Sequence, residues 1–369
     1  MSSKNINIKS LQDFINSNYF DCQELSLNFK GRNYDANQAQ ILAKQIEKYK
    51  SLEMLKLDLN SNCIGQEGAI FISQSLTQCK NLRNLIIILS SDSYGFNYIS
   101  EIGANGLGQG LANFQKLQHL EINLRYNTIG SNGAINLVKQ LKNCSNLQQL
   151  IFNLKNNSLL DKGAIGLAEG IGECSQLIHL KLYLKYNNIG DQACYGFGIG
   201  LSKCRSLERL FVDLSGQDHE YNRIGDMGAI QLGKSLSNCY RLKNLEIKLN
   251  QQPINQEGAS ILFQQLTNAK SLKVLAVHLG FIIPMGYEFT NNQSFRSRYQ
   301  SRRSVQFLPR QFRCIDNQGV FDMAKQLANS SLFVIKLYFK ETINRDQIAI
   351  LKEMLKKIGT LVDLKVEKN

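Results

Sequence analysis

The residues of this 369-residue chain that could carry chemistry are nine cysteines, four histidines, two glycine clusters and one arginine-rich stretch. A structural zinc site calls for paired thiolates or imidazoles, as in C-x₂-C, and no such pair occurs. His119, His179, His219 and His278 are widely separated, and no Ser-His-acid or Cys-His arrangement is suggested by spacing. The glycine runs GANGLGQG (from Gly103) and GFGIG (from Gly196) could pass for phosphate loops. A phosphate-cradling loop needs the lysine and hydroxyl of G-x-x-x-x-G-K-[ST], which is absent, as are the kinase signatures V-A-I-K, H-R-D and D-F-G. No residue is therefore assigned a catalytic, cofactor-binding or metal-ligating role, and the chain is read as non-enzymatic.

The arginine stretch, NNQSFRSRYQSRRSVQFLPRQFR from Asn291 to Arg313, holds six arginines, four aromatics and no acid. Four readings stay open for it. It could contact an acidic protein surface, with Arg296, Arg298, Arg302 and Arg303 as the candidate residues. It could grip RNA, with arginines on phosphates and Phe295, Tyr299, Phe307 and Phe312 stacked on bases. It could be a targeting or phosphorylation segment, because Ser304 follows two arginines. It could be a loop of tolerated composition. The formal net charge of +13 extends beyond this stretch: residues 281–313 carry six Arg and one Glu, or +5, which leaves 13 − 5 = +8 elsewhere. That balance favours acidic partners without choosing among them.

What positions these residues is a repeat. LQHLEINLRYNTIGSNGAINLVKQLKNCSN from Leu117 is echoed by LQQLIFNLKNNSLLDKGAIGLAEGIGECSQ from Leu147 and by LIHLKLYLKYNNIGDQACYGFGIGLSKCRS from Leu177. The same frame starts at Leu52, Leu82, Leu207, Leu242, Leu272, Leu332 and Leu361, with a degenerate copy from Cys22. From Leu52 onward the spacings are 30, 35, 30, 30, 30, 35, 30, 60 and 29 residues. Leu120, Ile122 and Leu124 alternate with polar residues, which predicts a half-buried strand. An Asn-x-Ile-Gly turn follows, its Asn recurring at positions 62, 97, 127, 157, 187 and 222. There a side-chain amide can satisfy backbone groups that the bend leaves unpaired. Ala134, Leu137, Val138 and Leu141 then change to helical spacing. One such unit cannot bury its own apolar face, so the units must stack. Cys79, Cys144, Cys174, Cys204 and Cys239 share one repeat position with Phe114 and Ala269, which makes it an apolar packing slot. Both glycine clusters fall where the helix should be, which reads as close packing.

This pattern resembles the leucine-rich repeat family, in particular its ribonuclease-inhibitor-like class, over roughly residues 22–369. The resemblance implies a right-handed α/β solenoid, a horseshoe of about ten units with parallel strands on the concave face and helices on the convex face. It departs from the family motif L-x-x-L-x-L-x-x-N in placing two more residues before the Asn. Either the strand is longer or the turn is shaped differently. Residues 1–21 read as a cap, in which Ser10 and Asp13 signal a short helix.

Residues pointing away from the core form columns along the sheet. One column reads Lys56, Ile86, Glu121, Ile151, Lys181, Phe211, Glu246, and the next reads Asp58, Ile88, Asn123, Asn153, Tyr183, Asp213, Lys248. Beyond them stand Arg125, Lys155 and Lys185. Ile86, Ile88, Ile151, Tyr183 and Phe211 are apolar where polar residues are expected. They either form a partner-binding patch beside the cations or merely shield one another. The excess residues of the longer units fall within SSDSYGFN (from Ser90), SGQDHEYN (from Ser215) and residues 281–313, all after a strand and before a helix. The expectation is a scaffold or adaptor that holds a protein partner on its concave wall and loop edge. The alternatives are a regulator that activates small GTPases, as some members of the resembled class do, and an RNA-binding protein. No apolar run approaches the ~20 residues of a membrane span, and no signal peptide is evident at the start. With nine cysteines and no such signal, the chain reads as a reduced protein of the cytoplasm or nucleus.

Overall fold

The structure is a computed structural model that describes residues 5–91, 96–216, 222–280, 334–340 and 361–367. Arg296, Arg298, Arg302, Arg303 and the rest of the basic insertion lie outside the described residues.

Among the described residues twelve strands form one sheet in strict sequence order, every neighbouring pair parallel. They are β1 Asn5–Ile8, β2 Glu24–Asn28, β3 Met54–Asp58, β4 Asn84–Ile88, β5 His119–Asn123 and β6 Gln149–Asn153. The series continues with β7 His179–Tyr183, β8 Arg209–Asp213, β9 Asn244–Asn250, β10 Val274–Gly280, β11 Val334–Lys340 and β12 Leu361–Glu367. Between them run α1 Leu11–Ile15, α2 Ala36–Ile46, α3 Gly65–Leu76, α4 Ser100–Leu111, α5 Gly130–Val138, α6 Leu160–Gly172, α7 Asp191–Ser202, α8 Asp226–Leu236 and α9 Gln256–Thr267. Successive helices from α2 to α9 pack on one another as a second layer. This is the open, all-parallel α/β solenoid that the repeat implies.

The period-two and helical patterns meet in one continuous core. Leu120, Ile122 and Leu124 from the strand and Ala134, Leu137, Val138 and Leu141 from the helical half are all essentially inaccessible. Each fully buried Leu or Ile contributes about 1.5–3 kcal/mol. The shared cysteine slot is buried in all five units that carry it. Cys144 Sγ lies 3.3 Å from the Leu111 carbonyl of the preceding unit, and Cys204 Sγ lies 3.4 Å from that of Ile171. The glycine clusters sit inside α4 and α7, where a Cβ on Gly108 or Gly200 would run into the backbone of the neighbouring helix.

The two extra residues before the Asn prolong the ladder. Beyond the end of β5, Leu124 N–H donates to the Asn153 carbonyl (2.9 Å) and Tyr126 N–H to that of Lys155 (3.0 Å). The chain then reverses through left-handed backbone at Tyr126 (φ 59°), Asn156 (φ 55°) and Tyr186 (φ 64°). Here the six recurring asparagines are at most 3% exposed and stack from unit to unit. Asn187 Nδ2 donates to the carbonyls of Leu154 (2.8 Å) and Leu184 (3.0 Å), while its Oδ1 accepts from Asn157 N–H (2.9 Å) and Leu159 N–H (3.3 Å). Asn222 repeats the pattern one unit later. Gln252, which the sequence reading passed over, takes the next rung. Its Nε2 donates to Leu214 O (2.9 Å) and its Oε1 accepts from Ile224 N–H (2.7 Å). The signal was its distance of 252 − 222 = 30 residues from Asn222. A second ladder was also missed: Asp161, Asp191 and Asp226, each in the first turn of a helix, accept at 2.6 Å from the N–H of Gly190, Gly225 and Asn255 at the start of the next.

The ends differ from the middle. Ser10 caps α1 through the Asp13 N–H, as its spacing predicts. Residues 5–8 also contribute a strand, which the sequence reading did not assign. Phe14, Phe29 and Tyr49 fill the first interior, with Phe14 and Tyr49 stacked at 5.4 Å between centroids. At the other end the frame from Leu361 is shifted. It would align Leu364 with Ile335, whereas the register pairs Leu364 with Leu337 and Val362 with Ile335. A slip of two residues keeps the same face inward, so alternation could not reveal it.

Candidate partner-binding face

Helices cover one face of the sheet, and the other presents the columns named above. Strand register assembles them: Lys56, Ile86, Glu121, Ile151, Lys181, Phe211, Glu246 and Ala276 are successive partners from β3 to β10. Asp58, Ile88, Asn123, Asn153, Tyr183, Asp213, Lys248 and His278 follow two residues on.

The five apolar candidates are all half-buried, but they do not form one patch. Ile86 and Ile88 stand together on β4. Glu121 and Asn123 of β5 separate them from Ile151. Tyr183 and Phe211, diagonal neighbours on β7 and β8, are in contact, with ring centroids 4.9 Å apart and planes inclined by 48°. Lys248 Nζ lies 5.4 Å from the centre of the Phe211 ring. Burial raises the pKa of the Tyr183 phenol, and the carboxylates of Asp213, Glu121 and Glu246 add to the effect. Phe211 also lines a depression of about 410 Å³ at the entry ends of β6–β10, with Ile151, Lys181, His179, Arg209 and Ala276.

The three cations past the strand ends do come together, through residues that sequence reasoning did not single out. Arg125 lies over the Tyr126 ring at 4.8 Å. Lys155 Nζ is 5.8 Å from the centre of that ring and 4.8 Å from that of Tyr186, and Lys185 Nζ is 4.6 Å from Tyr186. The signal was a Tyr after the cation in two of the three units, in Leu-Arg-Tyr-Asn and Leu-Lys-Tyr-Asn. Burial lowers the pKa of the Lys155 ammonium, and the charges of Arg125 and Lys185 lower it further.

Other candidates separate. His119 and His179 stand two strands apart, with Gln149 between them, and His119 Nδ1 lies 3.1 Å from Gln149 Oε1. Among the described residues no three His, Cys, Asp or Glu converge as metal ligands, and no helix is long and apolar enough to cross a membrane. The first enlarged unit places its extra residues between β4 and α4, and the second places them between β8 and α8. Exposed Phe96 and Tyr98 pack together beside the first, at 5.7 Å.

The leucine-rich repeat family profile matches residues 52–73 and 116–138. No curated protein matches the chain. A chain in the crystal structure of the yeast Rad7–Elc1 complex aligns at 18% identity over 89% of this chain and 78% of that one, with a TM-score of 0.31. The matched segments and the strand–turn–helix repeat together fit a leucine-rich repeat protein.

Proposed function

We propose that the protein is a non-enzymatic interaction scaffold of the ribonuclease-inhibitor-like class, working in the cytoplasm or nucleus. It holds a protein partner with an acidic surface on the open face of its sheet. One observation carries this reading: an aromatic pair, Tyr183 and Phe211, sits half-buried on the face that none of the described helices covers, with Lys181 and Lys248 around it. Aromatic side chains on a rigid surface make binding anchors at low entropic cost. The sheet backbone beneath them is held by its neighbours, so little ordering remains to oppose association.

The test is a double substitution, Tyr183→Ser with Phe211→Ser. A partner is first isolated on the intact chain from its own cells, and its affinity for the wild type and the variant is then measured by calorimetry. The expected result is a loss of about tenfold or more, equivalent to at least ~1.4 kcal/mol, with a melting temperature within a few degrees of the wild type. Unchanged affinity refutes the proposal. A large fall in melting temperature shows instead that the two rings serve the core.

A further inference from the structure

We infer that Arg125, Lys155 and Lys185 form a built anion-binding strip that receives the carboxylates of an acidic, extended peptide segment, whose apolar anchor lies in the depression beside Phe211. The inference rests on the scaffold reading and specifies the partner's chemistry.

The strip is made of donors. Its three cations occur at equivalent positions in consecutive units, on in-register strands about 4.8 Å apart. Among the described residues none of the three comes within 4.0 Å of a carboxylate, although four such pairs form elsewhere. The Nε of Arg125 is shielded from solvent without a hydrogen-bond partner. The amides beside the cations are turned the same way. Asn123 Oδ1 accepts from Arg125 N–H (3.2 Å) and Asn153 Oδ1 from Lys155 N–H (3.3 Å). Each oxygen is thus engaged by its own backbone, and the NH₂ group is left to face a ligand. On the β8 side the same local turn is made by an acid, Asp213, which accepts from Ser215 N–H at 3.0 Å, and on the β4 side the neighbouring residue is the apolar Ile88. The donor segment is therefore bounded by a carboxylate on one side and an apolar residue on the other, which sets its length at three strands. Burial first, and then the charges of Arg125 and Lys185 on either side, lower the Lys155 pKa, and an incoming anion relieves the part due to repulsion.

The geometry favours peptide over nucleic acid. Base recognition in a single strand needs free aromatic faces. Here the aromatic rings beside the cations, Tyr126 and Tyr186, have those cations over them. Along a strand, Ile151 at the depression and Lys155 in the strip are four residues apart, about 13 Å. An extended peptide covers that distance in about four residues, so its first acid should lie four positions from its apolar anchor.

The probe is a fluorescein-labelled peptide, Phe-Gly-Ser-Gly-Glu-Glu-Glu. Comparison ligands are the same peptide with Gln for Glu and a short uridine RNA. Anisotropy titrations at about 50 and about 300 mM salt are run on the intact chain. The acidic peptide should bind, the Gln peptide should not, and the combination R125Q/K155Q/K185Q should weaken binding about tenfold or more and flatten its salt dependence. Lys155→Gln alone should give an intermediate loss. The combination K80Q/K142Q/K203Q removes the same charge from exposed positions elsewhere and should change affinity by less than about twofold.

Equal weakening by both triple variants reduces the effect to bulk charge and overturns the inference. It also falls if the acidic peptide does not bind, if the strip variant binds as the wild type does, or if the RNA is preferred and lost with the strip. The two proposals fail separately. Loss through Y183S/F211S with no effect of the strip variant keeps the scaffold and removes the strip. The reverse keeps the strip and removes the aromatic anchor.

Discussion

Asn187→Ala tests whether the asparagine ladder holds successive units together. The Asn187 side chain is completely buried and bonds five backbone groups in two units, one of them the Lys185 carbonyl, which also accepts from Asn156 N–H (3.0 Å). Of these, the Leu184 carbonyl also accepts from Asn222 Nδ2 (2.9 Å) and remains satisfied in the variant. The Leu154 carbonyl and the N–H groups of Asn157 and Leu159 lose their partner. Three unpaired buried groups at roughly 1–3 kcal/mol each, less what a water entering the vacated space recovers, give an expected loss of about 3–5 kcal/mol. Gln252→Ala is the internal comparison. It strands the Ile224 N–H, while Leu214 O keeps its bond from Asn222 Nδ2 (3.1 Å), so a loss of about 1–2 kcal/mol follows.

Asn187→Asp adds a pH signature. A carboxylate would face the Leu154 and Leu184 carbonyls with no proton to donate, so its folded pKa must rise above the unfolded value of about 3.9. The folded state then binds the extra proton, and the variant's deficit shrinks as pH falls from 7 towards that unfolded value, whereas the alanine deficit does not. The assay is urea unfolding followed by far-UV circular dichroism, with the slope checked for partial unfolding, which stacked repeats allow. A loss below about 1 kcal/mol, or equal losses for Asn187→Ala and Gln252→Ala, refutes the ladder as a main source of cohesion.

Three other outcomes follow from the same geometry. Leu160 holds φ 57° at the turn position where Gly65 and Gly130 hold 67° and 65°. Replacing it with Gly should stabilise the protein by about 0.5–1 kcal/mol, the left-handed strain removed less the flexibility gained by the unfolded chain. Gly65→Ala, with open space around the added Cβ, should cost about 1 kcal/mol, and both are read from thermal unfolding. In native protein Cys63, which is exposed, should be alkylated at neutral pH while Cys79, Cys144, Cys174, Cys204 and Cys239 react only on unfolding, as peptide mass mapping will show. Burial pushes the Cys144 and Cys174 thiols up to about 12 from 9.0. Their contribution is intact below pH 9 and is lost as pH rises towards 12, because the unfolded thiols ionise first. At pH 10 each such thiol should cost about 1.4 kcal/mol, and replacing them with Ala should flatten the alkaline side of the stability profile. Phe14→Ala should lose about 3–5 kcal/mol by opening a cavity against Tyr49 and Phe29, and an unchanged urea midpoint would show that the cap is dispensable.

The parts of this fold legible in the sequence are those where one residue type must recur. Leucine alternation, the Asn turn and the cysteine slot announced themselves because each position meets the same surroundings every 30 residues. What escaped was set by one unit's contact with the next. Gln252 does the work of Asn with a longer side chain, so a search for one residue type passes over it. The Asp161–Asp191–Asp226 ladder was hidden because an acid at a helix start has an ordinary local explanation as a cap, and its partner on the next unit appears only in three dimensions. The register of β12 escaped because a period-two alternation is unchanged by a two-residue slip.

The binding face is illegible for a related reason. A solenoid's core constrains the inward residues of each strand and leaves the outward ones to vary, so no periodic rule picks out functional positions there. Deviation from polarity was the only cue. It identified Tyr183 and Phe211, which do meet, along with Ile86 and Ile88, which lie apart from them across β5 and β6. Ile86 and Ile88 gain nothing from Tyr183 and Phe211, so substituting both with Ser tests the cue itself. If partner affinity depends on contiguous aromatic surface, this variant should bind within about twofold of the wild type while Y183S/F211S loses about tenfold. Comparable losses from both would mean that the partner spans β4 to β8. Its footprint would then cross the whole cationic strip, and Arg125→Gln alone should then weaken it as much as either pair.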